Sequence, residues 1–193
     1  MLSSKESLKV LKKTNALLEG HFVLSSGLHS DRYIQCAKLL SFPKLSQKIC
    51  HSLSKRIKKK FKKIDLILSP AVGGIVIGYE IGKILNKETI FCERVNKKFT
   101  LRRGFQIKKN AKVLIVEDVI TTGKSSLECS KLVLENNAII AGYACIIDRS
   151  NGKSEIKDKI VSQIQLNIPT YTKDNLPKNL SNTKPIKPGS RNL

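Results

Sequence analysis

The chain has 193 residues, enough for one domain with a full hydrophobic core, and a net charge of +21 from 36 basic and 15 acidic residues. No segment has the length and apolarity of a membrane span, and the N-terminus lacks the apolar stretch of a signal peptide. The five cysteines are widely spaced without a Cys-X-X-Cys pair, which favours reduced thiols over a disulfide framework or a zinc site. We therefore expect a cytoplasmic protein without a membrane partner.

The positive charge is densest at residues 55–63, which invites a nucleic-acid-binding interpretation. Apolar residues, however, recur at four-residue spacing through this region, as on one face of an amphipathic helix: Leu45, Ile49, Leu53, Ile57 and Phe61. Aromatic residues are only 5% of the chain, too few for an obvious base-stacking surface. We interpret the basic run as the solvent-facing side of a helix and expect no specific nucleic-acid partner, with an RNA or DNA site as the alternative.

The predicted elements begin with a helix, because Ser3 and Glu6 form a capping box and Gly20 suits a C-terminal stop after about Glu19. Short strands are predicted at residues 22–24 and 33–36, and the long basic helix opens at Pro43.

Beyond residue 64, strand signals alternate with helix signals, which indicates a parallel sheet with right-handed crossovers. The predicted fold class is α/β, a parallel central sheet flanked by helices. Ligands of such sheets bind beyond the carboxyl ends of the strands. The predicted strands are 65–69, 89–93, 112–116 and 139–147, with an edge strand at 160–168 and helices at 75–85 and 125–136.

The apolar run at residues 113–116 is followed by two adjacent carboxylates, Glu117 and Asp118, and then by a turn and an amphipathic helix. The N–H groups of residues 121–125, helped by the helix dipole, suit a phosphate. The carboxylates cannot bind a phosphate, but they accept hydrogen bonds from vicinal sugar hydroxyls. The string therefore predicts a site for a ribose 5-phosphate group.

The same segment contains a partial P-loop, because Gly123, Lys124 and Ser125 match the end of that motif. The glycine that should open the motif is replaced by Asp118, with Glu117 beside it. Two fixed negative charges would repel a triphosphate, so we prefer the ribose-phosphate interpretation.

The string resembles the ribose-phosphate motif of type I phosphoribosyltransferases, and nearly the whole chain resembles the orotate phosphoribosyltransferases within that family. Further segments that carry the resemblance are residues 20–36, 69–74, 93–94, 101–105, 148–150 and 187–191.

The resemblance implies a single phosphoribosyltransferase domain over residues 1–193, with a small hood from residues 1–40 and the C-terminal segment, and a core at about 44–150. It implies transfer of a phosphoribosyl group from 5-phosphoribosyl 1-pyrophosphate (PRPP) to orotate, giving orotidine 5′-monophosphate and pyrophosphate in pyrimidine synthesis. Mg²⁺ is the implied cofactor, held mainly by substrate and water. The implied assembly is a homodimer.

The implied catalytic residues are Asp118 and two arginines of a lid at residues 94–109, Arg102 and Arg103. The orotate-binding residues would be Thr121, Ser26 and Arg149, with Arg149 on the orotate carboxylate. PRPP would be bound by Glu117, Asp118, Val119, Ile120, Thr121, Thr122, Gly123, Lys124, Ser125, Arg94 and Lys98, and its pyrophosphate also by the loop at residues 71–74. Family members usually have a second glycine where Lys124 stands, and this lid contains no histidine.

Several alternatives stay open at this point. The lid segment also fits a plain charged hairpin. Asp148 and Arg149 also fit an ion pair with a purely structural role. At the level of function, the alternatives are a purine phosphoribosyltransferase and a non-catalytic regulator with the same fold.

Overall fold

The computed structural model describes residues 1–24 and 26–188. Its helices are α1 (Ser4–Lys13), α2 (Cys36–Leu40), α3 (Pro43–Lys60), α4 (Gly73–Leu85), α5 (Lys124–Glu135) and α6 (Lys178–Ser181), with one 3₁₀ turn at Lys173–Asn175. Its strands are β1 (Leu17–Val23), β2 (His29–Ile34), β3 (Leu66–Pro70), β4 (Glu88–Val95), β5 (Lys98–Leu101), β6 (Lys112–Ile120), β7 (Ile139–Asp148) and β8 (Ile160–Gln165). No helix in this described part of the chain is long and apolar enough to cross a membrane.

The central sheet has six strands in the order β5-β4-β3-β6-β7-β8, and only the β4–β5 pair is antiparallel. Its inner strands are apolar on both faces because helices cover both sides. In β6, Leu114 and Val116 pack into a core with α3 and α4, whereas Val113 and Ile115 face α5. The predicted α/β fold with a parallel sheet is confirmed.

Helix α4 lies unusually close to the sheet at two glycines. A Cβ atom at Gly78 would collide with the Ser69 side chain, and one at Gly82 with the Thr89 side chain. This close approach brings the first turn of α4 to the carboxyl ends of β3 and β6.

The basic helix is amphipathic, as predicted. It begins at Pro43, and Ile49, Leu53 and Ile57 are fully buried. Its last three residues, Lys58–Lys60, are exposed to solvent.

A two-stranded antiparallel sheet, β1 with β2, stands apart from the central sheet and pairs with the C-terminal segment. Phe22 bridges to Ile186, and His29 bridges to Tyr171. The buried rings of His21 and His29 approach to 2.6 Å between Nε2 and Nδ1. We refer to β1, β2 and residues 171–186 as the hood; the residue boundaries predicted for hood and core stay predictions.

Several predicted boundaries near the N-terminus are wrong. The capping box of Ser3 and Glu6 is present, but α1 ends at Lys13 instead of near Glu19. Asn15 has a left-handed backbone, with φ of 53°, and turns the chain into β1. Gly20 lies at an irregularity within that strand and does not end a helix.

Two further boundaries differ from the sequence-based expectation. The strand predicted at residues 33–36 lies earlier, because β2 ends at Ile34 and Cys36 begins α2. The edge strand predicted at 160–168 is present as β8 but ends at Gln165. Ser25 and residues 189–191, which contribute to the resemblance, lie outside the described residues.

Candidate functional site

The candidate site lies where the parallel strands β3, β6 and β7 end and the chain turns into α4, α5 and the loop after Asp148. Each turn carries one of the segments singled out in the sequence. The fold therefore brings residues that are far apart in sequence to one edge of the sheet, as expected for an α/β protein.

The prediction that Glu117 and Asp118 come after the strand is wrong. Both residues lie within β6, which continues to Ile120. Neighbouring residues of a strand point to opposite faces of the sheet. The Glu117 carboxylate accepts a short hydrogen bond from the Ser126 hydroxyl on α5. Asp118 instead faces the start of α4, where a Cβ atom at Gly73 would lie 3.0 Å from its Oδ2. The two acids thus face two different helices.

Burial controls the protonation of both acids. It raises the pKa of Glu117 to about 7, against the hydrogen bond from Ser126, and the Asp118 charge adds to the increase. Burial also raises the pKa of Asp118, although the Val119 N–H donates to its Oδ1 at 2.9 Å. A ligand that brings positive charge or hydroxyl donors would therefore favour the ionised form of both carboxylates.

The phosphate loop, residues 121–125, is shaped by Gly123. This residue has φ of 85° and caps the N-terminus of α5. A Cβ atom there would lie 2.7 Å from both Ile156 Cγ1 and Ser154 Oγ, so only glycine fits. The Glu155 N–H donates to the Thr122 carbonyl at 2.9 Å and fixes the loop from outside.

Lys124 is the first residue of α5, so the position where relatives usually have glycine has an ordinary helical backbone here. Its N–H group lies 3.3 Å from Thr122 Oγ1. The side chains of Thr121, Thr122 and Lys124 are exposed, and Ser125 is half-buried. The open N-terminus of α5 suits an anion.

Val119 and Ile120 lie inside β6 and not in the loop. The Ile120 side chain is buried in the core, and its carbonyl accepts the Arg149 N–H at 2.8 Å. Val119 packs against the opposite core. Only their backbone is placed to support a ligand.

The lid predicted at residues 94–109 begins as a regular hairpin of β4 and β5, turning at Asn96 and Lys97 with φ of 48° and 66°. The hairpin packs against the core, because Phe99 is buried. The charged-hairpin interpretation therefore describes its first half.

Two lid arginines already have carboxylate partners. Arg94 Nη2 lies 2.6 Å from Glu128 Oε2 on α5, and its guanidinium stacks 4.0 Å above the Phe99 ring. Arg103 binds Glu93 through two hydrogen bonds, of 3.1 and 2.9 Å, and this contact holds the pKa of Glu93 below its usual value.

The other two lid cations among the candidate site residues, Lys98 and Arg102, are exposed. Arg102 lies close enough to Glu93 to help lower the pKa of that carboxyl.

Arg149 differs from the arginines of the lid. Burial lowers the pKa of its guanidinium, with Tyr33 of the hood acting in the opposite direction. Its Nε is buried and has no hydrogen-bond partner among the described residues. An arginine in this state is a ready receptor for an anionic group.

The alternative of a structural ion pair between Asp148 and Arg149 is not what the described residues form. Asp148 Oδ1 accepts the Ser150 N–H at 2.8 Å, and Oδ2 accepts from Gln165 Nε2 at 3.4 Å. Asp148 therefore orders the loop after β7, which leaves Arg149 for another partner.

The structure brings several supporting residues to the site that sequence reasoning missed. Ser126 and Glu128 stabilise Glu117 and Arg94, and Tyr33 lies beside Arg149. Tyr33 was part of a recognised motif, but no local pattern pairs Arg94 with Glu128. Ser26 is exposed, and no hydrogen bond within the described residues joins it to Arg149 or Thr121.

Comparison with known proteins agrees with this geometry. A profile of the phosphoribosyl transferase domain matches residues 36–174. The orotate phosphoribosyltransferases of Methylorubrum populi and Parvibaculum lavamentivorans are each 42% identical to the chain over all 193 residues, which span 98% and 100% of those proteins. The chain belongs to the orotate phosphoribosyltransferase family.

A solved structure extends the comparison to three dimensions. The orotate phosphoribosyltransferase from Aeropyrum pernix superposes with a TM-score of 0.73 at 26% identity, over 82% of this chain and 92% of that one. These relatives do not favour the purine-specific or the non-catalytic alternative. The family is thus established from sequence and fold together.

The buried position of Glu117 leads to a prediction about stability. Its folded pKa of about 7 lies above the usual 4.5, so the folded protein holds a proton that the unfolded chain releases between these values. This acid therefore lowers stability as pH rises from about 4.5 to about 7. Glu117→Gln should raise the free energy of unfolding by about 1–3 kcal/mol at pH 8 and by little at pH 4.5.

Urea denaturation of both proteins at the two pH values measures this difference. Glu135→Gln, which removes an exposed acid from the last turn of α5, controls for the loss of one negative charge. A gain for Glu117→Gln that is equal at both pH values would contradict the assigned burial effect.

Proposed function

We propose that this protein transfers the phosphoribosyl group of PRPP to orotate, which yields orotidine 5′-monophosphate and pyrophosphate in pyrimidine-nucleotide synthesis. Family membership supports the reaction. The observation that carries the choice of orotate is Arg149, because a partly buried guanidinium without a carboxylate partner among the described residues matches the carboxylate that distinguishes orotate from uracil.

In the proposed reaction, the bond between ribose C1 and the pyrophosphate oxygen breaks, and its electron pair leaves with pyrophosphate. Orotate N1 forms the new bond to C1 and gives up its proton. Positive charge develops on the ribose, so two nearby carboxylates stabilise the transition state. We assign the ribose hydroxyls to Glu117 and Asp118, and the 5′-phosphate to the loop from Thr121 to Ser125.

Opposite faces of β6 allow the two acids to act separately. Glu117 accepts a hydrogen bond from Ser126, and Asp118 accepts the Val119 N–H while it faces the first turn of α4. Each carboxylate therefore keeps a fixed orientation without the other, which pre-organises the ribose site. Asp118 is the better placed of the two to act near the pyrophosphate, since the loop at residues 71–74 leads into α4.

The lid supplies the positive charge for the leaving pyrophosphate in this proposal. Arg103 has to exchange its contact with Glu93 for the ligand, whereas Arg102 and Lys98 are already exposed. An exposed ion pair is worth about 0–1 kcal/mol, so its exchange for a charged ligand costs little.

The residues present fit Mg²⁺ bound chiefly through substrate. Glu117 and Asp118 provide carboxylates at the site. Burial raises their pKa values, and a cation bound nearby would favour their ionised forms. When bound, Mg²⁺ neutralises charge on the pyrophosphate group.

We further propose that the protein acts as a homodimer in the cytoplasm. The apolar side chains of Val72, Val76 and Tyr79 follow one face of α4 and are 82%, 47% and 64% exposed. Such a stripe beside the site suits the surface of a second copy. The five cysteines are free and buried, which fits a reducing compartment.

A direct assay tests the reaction. We expect orotate to be consumed only when both PRPP and Mg²⁺ are present. The ultraviolet absorbance of orotate measures its consumption. Changing Glu117 to Gln and Asp118 to Asn together keeps the side-chain shapes but removes both charges, and turnover should fall by at least about a hundredfold. A folded double variant with the parental rate would rule out the ribose-binding role of this pair.

The orotate site is tested by Arg149→Ala. The variant should bind orotate about 2–5 kcal/mol more weakly, because a desolvated charge pair is lost, while PRPP binding should change little. Calorimetric titrations with each substrate separate the two effects. Arg149→Lys keeps the charge without the planar fork and should recover only part of the affinity; unchanged orotate affinity in Arg149→Ala would remove this residue from the base site.

The dimer is tested at Tyr79. Tyr79→Glu places a charge in the apolar stripe and should shift the protein from dimer toward monomer in light scattering after size-exclusion chromatography. Leu134→Glu, an exposed apolar residue on α5, is the matched control and should leave the mass unchanged. A monomeric parent protein, or equal effects of both substitutions, would contradict the proposed interface.

A further inference from the structure

A groove of about 740 Å³ lies along the edge strand β8, between the start of α1 and the end of α3. Its described lining residues come from positions 1–4, 56–60 and 160–165. None of them is a candidate residue of the strand-end site. The volume is in the range of small-molecule sites.

The groove is strongly cationic. Arg56, Lys59 and Lys60 line it together with Met1, and none of its described lining residues is acidic. Lys59 and Lys60 are exposed, and no role in the proposed reaction uses them. Several cations along one concave surface attract an anion that carries more than one charge.

Two buried polar atoms in the groove's lining lack partners among the described residues, namely Nε of Arg56 and Oε1 of Gln163. Gln163 is only 1% exposed, so its unpartnered oxygen is costly unless a ligand or water bonds to it. Both side chains are held by the same atom, since Arg56 Nη2 and Gln163 Nε2 each donate to the Leu2 carbonyl at 3.2 Å. A donor and an acceptor are therefore fixed close together.

These features define the chemistry of the occupant. The cations and the Arg56 N–H require an anion, and the Gln163 oxygen requires a ligand N–H or O–H group. Ile160, which is half-buried, adds apolar surface to the groove. We propose that the groove is a second ligand site, which binds a nucleoside polyphosphate with its phosphates on Arg56, Lys59 and Lys60.

The groove ends at a residue connected to the orotate arginine. Gln165 lines it and donates to Asp148, which precedes Arg149 in the chain. An occupant would thus contact the strand that supports the loop after β7.

Calorimetry with ATP as the probe tests the proposal, with saturating PRPP present to fill the strand-end site. The unmodified protein should show one further binding event. Changing Lys59 and Lys60 to Gln should weaken it by at least about tenfold, as expected for losing two charged contacts. Changing Lys58 and Lys62 to Gln removes the same charge from residues outside the groove and should weaken it less than about twofold.

Three results would overturn the proposal. The first is that ATP does not bind at concentrations of about 1 mM, which corresponds to a binding free energy of about 4 kcal/mol. The second is that both lysine double variants lose the same amount of ATP affinity. The third is that inorganic triphosphate, which has no group for Gln163, binds as tightly as ATP. Turnover of both double variants should stay near that of the unmodified protein. If PRPP itself fails to bind, the proposed function fails, while the comparison of the two lysine pairs still tests the groove.

Discussion

The burial of two adjacent carboxylates within the central strand β6 is the constraint on which the site depends. A buried acid is unfavourable unless its environment compensates for lost hydration. Because successive strand residues face opposite ways, one helix cannot serve both. Glu117 accepts a hydrogen bond from Ser126 on α5, whereas Asp118 accepts the N–H of its neighbour Val119 and faces Gly73 at the start of α4. The glycines that let α4 approach the sheet are therefore part of the acid site, although none of them touches a charge except Gly73.

The arginines divide into two groups by their partners. Arg94 and Arg103 form ion pairs with Glu128 and Glu93. These glutamates neutralise part of the lid's positive charge. Arg149 lies in a drier environment with its Nε unpaired among the described residues. Exposed pairs of the first kind exchange at small cost, whereas a desolvated cation discriminates strongly for a matching anion. The two groups thus differ in burial and in the carboxylate partners that the described residues give them.

The sequence predicted the elements whose signals are local. The capping box at Ser3, the proline at the start of α3 and the alternation of strands and helices all depend on neighbouring residues. The end of β6 was misplaced, because Glu117 and Asp118 look like the end of a strand when only polarity is considered. Their burial depends on α4 and α5, which no window around residue 117 contains.

The same limit applies within the site. The turn at residues 121–125 was predictable because its glycine and hydroxyl residues lie together in the chain. The partnership of Arg94 with Glu128 joins residues 34 positions apart (128 minus 94), and the position of Tyr33 beside Arg149 depends on the hood. Contacts of this kind follow from tertiary packing, so a single sequence gives no periodic signal for them.

The pairing of the hood with residues from the far end of the chain bears on the order of events during synthesis. The core strands β3 to β7 are complete once residue 148 has been made, whereas Phe22 and His29 wait for Ile186 and Tyr171. During translation, a ribosome adds about 5–20 residues per second, and domains form as their segments emerge. The nascent chain can thus assemble strands β3 to β7 first, and β1 and β2 remain without their last neighbours until nearly all of the protein has left the exit tunnel.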